Sequence, residues 1–148
     1  MRKHPIILVV DDDLMLLKTV RDTLVSEGFR VVTASNAMTA LFLLGKHKPD
    51  LILLDIMMPN HDGFEALEMI RLHSNVSVIM LTCLDDQSSL HRAMSLGGAD
   101  DYVTKPFRSG VLIARIKAKL RRADSTSQRS VSTATHNGEN IGDDKQQS

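Results

Sequence analysis

The chain has 148 residues, a length that allows one domain and a short tail. Its formal net charge is zero, so no overall basic field favours nucleic acid or a membrane surface as a partner. The first apolar run ends at Val10, which is too short for a signal peptide or a membrane span. The one cysteine, Cys83, excludes an intrachain disulfide framework and favours a reducing compartment, so we expect a cytoplasmic protein.

The first predicted element is a strand over Ile6–Val10 that is followed directly by Asp11, Asp12 and Asp13. A run of branched apolar residues predicts a strand with both faces buried. Three successive carboxylates at the end of such a strand repel one another and are costly to desolvate. A bound cation would relieve that repulsion, and oxygen ligands favour Mg²⁺ over Zn²⁺.

Strand-like and helix-like segments alternate through the rest of the chain. Predicted strands cover residues 6–10, 31–34, 51–54, 76–81 and 102–104. A predicted helix follows each strand, and the last runs from about Ser109 to Arg122. Five βα units predict an α/β fold with a doubly wound parallel sheet. Right-handed crossovers favour the flavodoxin-like strand order 2-1-3-4-5.

The composition changes at Asp124. From there to Ser148 the residues are mostly Ser, Thr, Asn, Gln, Gly and Asp. Such a segment cannot bury enough apolar surface to offset the entropy lost on ordering. We therefore expect a domain over residues 1–123 and a disordered tail or linker over residues 124–148.

Polar side chains collect at the predicted carboxyl ends of the strands. The third strand ends in Asp55, the fourth in Thr82 and the fifth in Lys105. In open parallel sheets, ligands bind in the crevice outside this edge. The predicted strand order sets the first strand beside the third, so Asp11, Asp12 and Asp55 should converge.

Four motifs, in this order, resemble the receiver domain of bacterial response regulators. They are the run from Ile7 to Asp13, LILLDIMMPNHDG over 51–63, Met80-Leu81-Thr82, and ADDYVTKPF over 99–107. The resemblance covers roughly residues 5–122. The pattern is most similar to the winged-helix (OmpR/PhoB-like) subfamily.

The resemblance implies that Asp55 is the phosphoacceptor of a two-component phosphorelay, supplied by a sensor histidine kinase. It also implies a Mg²⁺ ion held by Asp11 or Asp12, by Asp55 and by the backbone carbonyl of Met57. Such a protein takes up and slowly loses its own phosphoryl group, so we expect a regulator and not a turnover enzyme.

The resemblance also implies a switch. Lys105 and Thr82 would contact phosphoryl oxygens, Tyr102 would turn inward behind Thr82, and Pro106 would follow a cis peptide bond. The output face would be formed by the fourth helix, fifth strand and fifth helix. Its charged residues resemble the set that other members use for two-fold dimerisation: Arg92, Asp100, Asp101, Arg115 and Arg122.

Three points of this interpretation stay open at the level of sequence. The charged set also fits a solvated face, and Val111 stands where the family usually has a glutamate. Cys83, where the family usually has alanine, fits a small core residue better than a redox sensor, and Asp13 fits a helix N-cap. We expect no DNA-binding domain in this chain, so control of transcription would require an effector domain or a partner.

Two other classes share part of the pattern. A haloacid-dehalogenase-like phosphatase also uses an aspartyl phosphate, and Asp11 and Asp13 have its Asp-x-Asp spacing. Met15, however, is not the small polar or β-branched residue usual two places later. A flavodoxin-like flavin carrier needs a phosphate loop where this chain has three aspartates, which would repel a phosphate.

Overall fold

The computed structural model describes residues 3–58, 61–83 and 98–136, without the side chains of 61–62 and 124–136. Its main sheet has five strands: β1 (Ile6–Val10), β2 (Arg30–Ala34), β3 (Leu51–Asp55), β4 (Ser77–Cys83) and β5 (Asp101–Lys105). All neighbouring strands are parallel, and their order is β2-β1-β3-β4-β5. The predicted flavodoxin-like order is confirmed.

Three helices follow the first three strands, and a long helix follows the fifth. They are α1 (Leu14–Ser26), α2 (Ala37–His47), α3 (Gly63–His73) and the C-terminal helix (Ser109–His136). The helix predicted between Thr82 and Gly98 lies outside the described residues.

The helices cover both faces of the sheet, which explains why the strands are apolar throughout. In β1, Leu8 and Val10 pack in a cluster with α2 and α3, whereas Ile7 and Val9 pack with α1 and the C-terminal helix. Every residue of β1 and β3 is buried. At about 25 cal/mol per Å² of apolar surface, this two-sided core is the main stabilising contribution to the fold.

Capping side chains define the starts of the first two helices. The Asp13 carboxylate accepts hydrogen bonds from the backbone N–H groups of Met15 and Leu16, both at 3.1 Å. The predicted N-cap is therefore confirmed, and the residue's carboxylate is directed at its own helix. Asn36 caps α2 by accepting from the N–H of Thr39 at 2.9 Å.

The C-terminal helix differs from its prediction. It continues to His136, beyond the expected end near Arg122 and into the segment predicted as a tail. Residues 123–136 contain neither proline nor glycine, so no residue there interrupts the helical hydrogen bonds. Residues 137–148 lie outside the described part of the chain, and the domain boundary stays a prediction.

Candidate functional site

The carboxyl edge of the sheet brings three of the predicted site residues into direct contact. Asp11 follows β1, Asp55 ends the neighbouring β3, and Lys105 ends β5. The Lys105 Nζ atom lies 2.8 Å from Asp11 Oδ2 and 3.3 Å from Asp55 Oδ1. One ammonium group thus bridges two buried carboxylates.

The same edge carries a third carboxylate, that of the exposed Asp12. One carboxylate oxygen from each of Asp11, Asp12 and Asp55 lies within 4.8 Å of the others. Oxygens on opposite sides of a Mg²⁺ ion, each about 2.1 Å away, are about 4.2 Å apart. The donor set and its spacing therefore fit a small divalent cation that prefers oxygen ligands.

The ionisation of these groups follows from their burial and proximity. The pKa of Asp55 is raised from 3.8 to about 6, mainly by burial and also by the negative charge of Asp11. Lys105 and the Met57 N–H oppose this shift without cancelling it. Burial alone would lower the pKa of Lys105, but its hydrogen bond to Asp11 and the two carboxylate charges raise it. The ammonium is therefore charged at neutral pH, whereas Asp55 is more easily protonated than an ordinary aspartate.

A glycine holds the segment after Asp55 in place. The Gly63 N–H donates to Ile56 O at 2.7 Å, and next to it Met57–Met58 pairs antiparallel with His61–Asp62. A Cβ atom at Gly63 would lie 2.5 Å from Asp55 O and 2.7 Å from Ile56 Cα. Only glycine allows so close an approach to the backbone of Asp55. Next to it, the Met57 N–H donates to Asp55 Oδ1 at 3.3 Å, and the Met57 side chain is exposed.

The remaining predicted site residues lie on β4 and β5 and on the residue that follows. Thr82 is buried, and its hydroxyl donates to Cys83 O at 3.3 Å. The Tyr102 side chain is 36% exposed and stands on the opposite face of β5 from Val103. The Lys105–Pro106 peptide bond is cis, as predicted. Cys83 is exposed, so the interpretation of this residue as core filler was wrong.

Two acidic residues of the predicted dimer face form ion pairs within the chain. Asp101 accepts hydrogen bonds from Arg115 at 3.0 and 3.1 Å, across β5 and the C-terminal helix. Asp100 pairs with Arg71 at 3.1 Å. Arg122 is exposed on the C-terminal helix. Arg92 lies outside the described residues.

Reasoning from the sequence missed Arg71, which makes four hydrogen bonds. Its Nε donates to Gly98 O, its Nη1 to the carbonyl oxygens of Val76 and Ser74, and its Nη2 to Asp100. The available signal was an arginine in the last turn of α3, but such cations often only complement the helix dipole.

Comparison with known proteins decides the family. The family described as "Response regulator receiver domain" matches residues 7–117. The chain belongs to this family. The receiver is 41% identical over 135 residues to a protein of Cyanophora paradoxa named "Probable transcriptional regulator ycf27", covering 91% of this chain and 55% of the relative. It is 38% identical over 148 residues to "Transcriptional regulatory protein AfsQ1" of Streptomyces coelicolor, covering 93% and 65%.

Solved structures agree with the assignment. A CheY-like receiver domain protein of Methanospirillum hungatei is 30% identical, with a TM-score of 0.77, covering 84% of this chain and 99% of that one. A Francisella receiver domain is 33% identical, with a TM-score of 0.74, covering 81% and 99%. The receiver spans about half the length of several curated relatives that it matches. No helix in the described ranges has the length and apolar character needed to span a membrane.

Proposed function

We propose that this receiver accepts a phosphoryl group on Asp55 from a phosphohistidine of a sensor histidine kinase, and that Mg²⁺ is required. The observation that carries the proposal is the convergence of Asp11, Asp12 and Asp55 at the carboxyl edge of the sheet, where Lys105 contacts Asp11 and Asp55. Like charges at this spacing favour a cation, and the positive charge of that cation would let an anionic phosphoryl group approach the carboxylates.

The transfer is a substitution at phosphorus. A carboxylate oxygen of Asp55 attacks the phosphorus atom and forms a P–O bond, while the P–N bond to the donor imidazole breaks. The nitrogen leaves with the bonding electron pair. Because the other ring nitrogen of the donor carries a proton, the histidine returns to neutral imidazole, and Asp55 carries an acyl phosphate. Asp55 must be ionised to attack, and the neighbouring Lys105 ammonium favours that form.

Asp11, Asp12 and Asp55 would hold the metal ion with their carboxylates, and Met57 with its backbone carbonyl. When bound, Mg²⁺ neutralises charge on the carboxylates and on the phosphoryl oxygens. Lys105 stabilises a second phosphoryl oxygen with its fixed positive charge.

Thr82 and Tyr102 would convert phosphorylation into a change of surface. Thr82 stands near the end of β4 beside Asp55, and its hydroxyl donates to Cys83 O across a long distance of 3.3 Å. A phosphoryl oxygen is a stronger acceptor because it is charged. Tyr102 would then turn inward and change the face that carries Asp101 and Arg115, through which two copies would pair.

The output we propose is control of transcription, because curated relatives are named transcriptional regulators. Contact with DNA would come through a separate effector domain or partner, and the receiver would act in the cytoplasm as a regulator that turns over no substrate.

The phosphatase alternative assigns the nucleophile to Asp11 and the acid to Asp13. Asp13 instead caps α1, and Lys105 lies closer to Asp11 than to Asp55. These contacts favour a capping role for Asp13 and a metal-binding role for Asp11, and they leave Asp55 as the acceptor.

The test is intact mass after incubation with acetyl phosphate, with Mg²⁺ and with EDTA, for the wild type and Asp55→Asn. We expect one added phosphoryl group on the wild type in Mg²⁺, and none in EDTA or on Asp55→Asn. Equal labelling of Asp55→Asn would overturn the assignment of the acceptor, and equal labelling in EDTA would overturn the role of the metal.

A further inference from the structure

One arginine ties together three segments at the amino edge of the sheet, opposite the carboxylates. Arg71, near the end of α3, donates to Gly98 O at 2.9 Å and to Val76 O at 2.6 Å. Its third contact is with Asp100 Oδ2 at 3.1 Å. The guanidinium group thus joins the loop before β4 to the loop before β5. Its planar, rigid fork of donors suits a site where several acceptors must be contacted at once.

Asp100 completes this connection by bracketing the first part of β4. The Asp100 N–H donates to Val78 O at 2.8 Å, and the Asp100 carboxylate accepts from the Val78 N–H at 2.8 Å. The carboxylate oxygen in this bond is the same Oδ2 that Arg71 contacts. Arg71 therefore orients the side chain that fixes the start of β5 against β4.

The two strands held in this way carry the proposed switch residues. From Val78 the register continues with Ile79 opposite Asp101 and Met80 opposite Tyr102. It then places Thr82 opposite Thr104 and ends with Cys83 opposite Lys105. Asp101 accepts from the Tyr102 N–H at 2.8 Å, so the backbone at the switch tyrosine is also fixed. A one-residue slip of β5 would move Tyr102 to the other face of the sheet.

We infer that Arg71 and Asp100 form a positioning pair that holds β4 and β5 in register, so that Thr82 and Tyr102 respond together to phosphorylation. The inference rests on the proposed function of Asp55. A switch needs a fixed reference as well as a moving part, because displacement at Thr82 changes Tyr102 only if the two strands cannot shift independently. Neither residue of the pair touches the phosphoryl site, so labelling of Asp55 does not require them.

The chain provides its own reporter, because Tyr102 is its one tyrosine and it has no tryptophan. Tyrosine fluorescence with acrylamide as quencher therefore measures the accessibility of Tyr102 alone. In the wild type, phosphorylation by acetyl phosphate and Mg²⁺ should lower the quenching, since the partly exposed ring turns inward. The phosphorylated fraction is measured on the same samples by intact mass.

We expect Arg71→Gln to be labelled within about twofold of the wild type, while losing at least about half of the phosphorylation-dependent change in quenching. Asp100→Ala should behave in the same way. Because the pair acts as a unit, the double variant should lose no more of the change than either single variant. Arg71→Lys keeps the positive charge but not the planar set of guanidinium donors, so it should retain only part of the phosphorylation-dependent change in quenching.

Ile70→Val is the matched control, since it weakens α3 next to Arg71 without touching the pair. Ile70 is 1% exposed, and its truncation to valine should lower the free energy of unfolding by an amount comparable to the effect of Arg71→Gln. Its response in quenching should match the wild type. An undiminished response in Arg71→Gln, or an equal loss in Ile70→Val, would overturn the inference while the labelled wild type still supports the proposed function. A wild type that takes up no phosphoryl group would overturn both.

Discussion

The two edges of the sheet differ in how their carboxylates are balanced by positive charge and hydrogen bonds. At the carboxyl edge, the carboxylates of Asp11, Asp12 and Asp55 lie together, and Lys105 contacts the first and the last of them. At the amino edge, the Asp100 carboxylate meets both an arginine and a backbone N–H. Asp50 at the same edge accepts from the Ile6 N–H at 2.8 Å.

The carboxyl edge is therefore suited to binding and reaction, and the amino edge is suited to holding the strands in place. Excess negative charge raises the free energy of the folded, metal-free protein, and a cation or a proton lowers it. Matched charges and hydrogen bonds at the other edge hold the strands in a fixed arrangement. The receiver is expected to respond to ligands at one edge because the other edge stays fixed.

Removing the Lys105 ammonium group should have the largest effect on the difference between the two edges. Lys105→Ala leaves Asp11 and Asp55 buried without their shared ammonium, and we expect a loss of about 3–4 kcal/mol of unfolding free energy without metal. Saturating Mg²⁺ should restore much of this loss, since it neutralises the same carboxylates. Urea denaturation with EDTA and with Mg²⁺ measures both quantities.

The control for Lys105→Ala is Lys18→Ala, which removes an exposed ion pair with Asp22 on α1. Its cost should be below about 0.5 kcal/mol and independent of Mg²⁺. Equal losses in the two variants would show that the site lysine is only another surface charge.

Filling the space at Gly63 should disturb the carboxyl edge through the backbone. In Gly63→Ala the new methyl group meets Asp55 O at 2.5 Å, so the segment after Asp55 must shift. We expect a loss of about 2–3 kcal/mol of unfolding free energy and slower labelling by acetyl phosphate. Gly45→Ala in α2 is the control, because its Cβ meets nothing within 4 Å and should stabilise the helix by about 0.5–1 kcal/mol. If Gly63→Ala were as stable as the wild type, the close approach of residue 63 to the backbone of Asp55 would be contradicted.

Neutralising Asp55 should stabilise the metal-free protein. The folded pKa of Asp55 is raised from 3.8 to about 6, so its protonation favours the folded state. That contribution is fully present below about pH 4 and is lost as the pH rises through about 6. At pH 7, Asp55→Asn should therefore be more stable than the wild type by about 3 kcal/mol in EDTA.

The difference between wild type and Asp55→Asn should shrink as the pH falls toward 4, and also when Mg²⁺ is added at pH 7. Thermal or urea unfolding across this range checks both trends. A wild type more stable than Asp55→Asn at pH 7 in EDTA would show that burial and Asp11 do not destabilise the ionised carboxylate.

The sequence allowed the fold and the position of the acidic edge to be predicted for a specific reason. Residues buried on both faces of a parallel sheet form continuous apolar runs, and Asp11 and Asp55 stand directly after or at the ends of two such runs. The strand order then follows from the handedness of the crossovers.

Contacts that depend on three-dimensional packing could not be predicted in this way. Arg71 looked like any cation at a helix end, because its acceptors lie in loops up to 29 residues away along the chain. The C-terminal helix extends past its predicted end near Arg122, because that prediction follows the apolar residues, whereas residues 123–136 are mostly polar but contain no proline or glycine. The exposure of Cys83 depends on how the end of β4 is covered, which its own neighbours in sequence do not show.

The carboxyl edge of the sheet, with its excess of carboxylates, is proposed to carry a phosphoryl group on Asp55. The most direct test is to label the wild type with acetyl phosphate and Mg²⁺, reduce the acyl phosphate with borohydride, and locate the product by peptide mass. Reduction converts a phosphorylated aspartate into homoserine. Homoserine at position 55 alone is the predicted result, whereas homoserine at position 11 would contradict the account and favour the phosphatase chemistry.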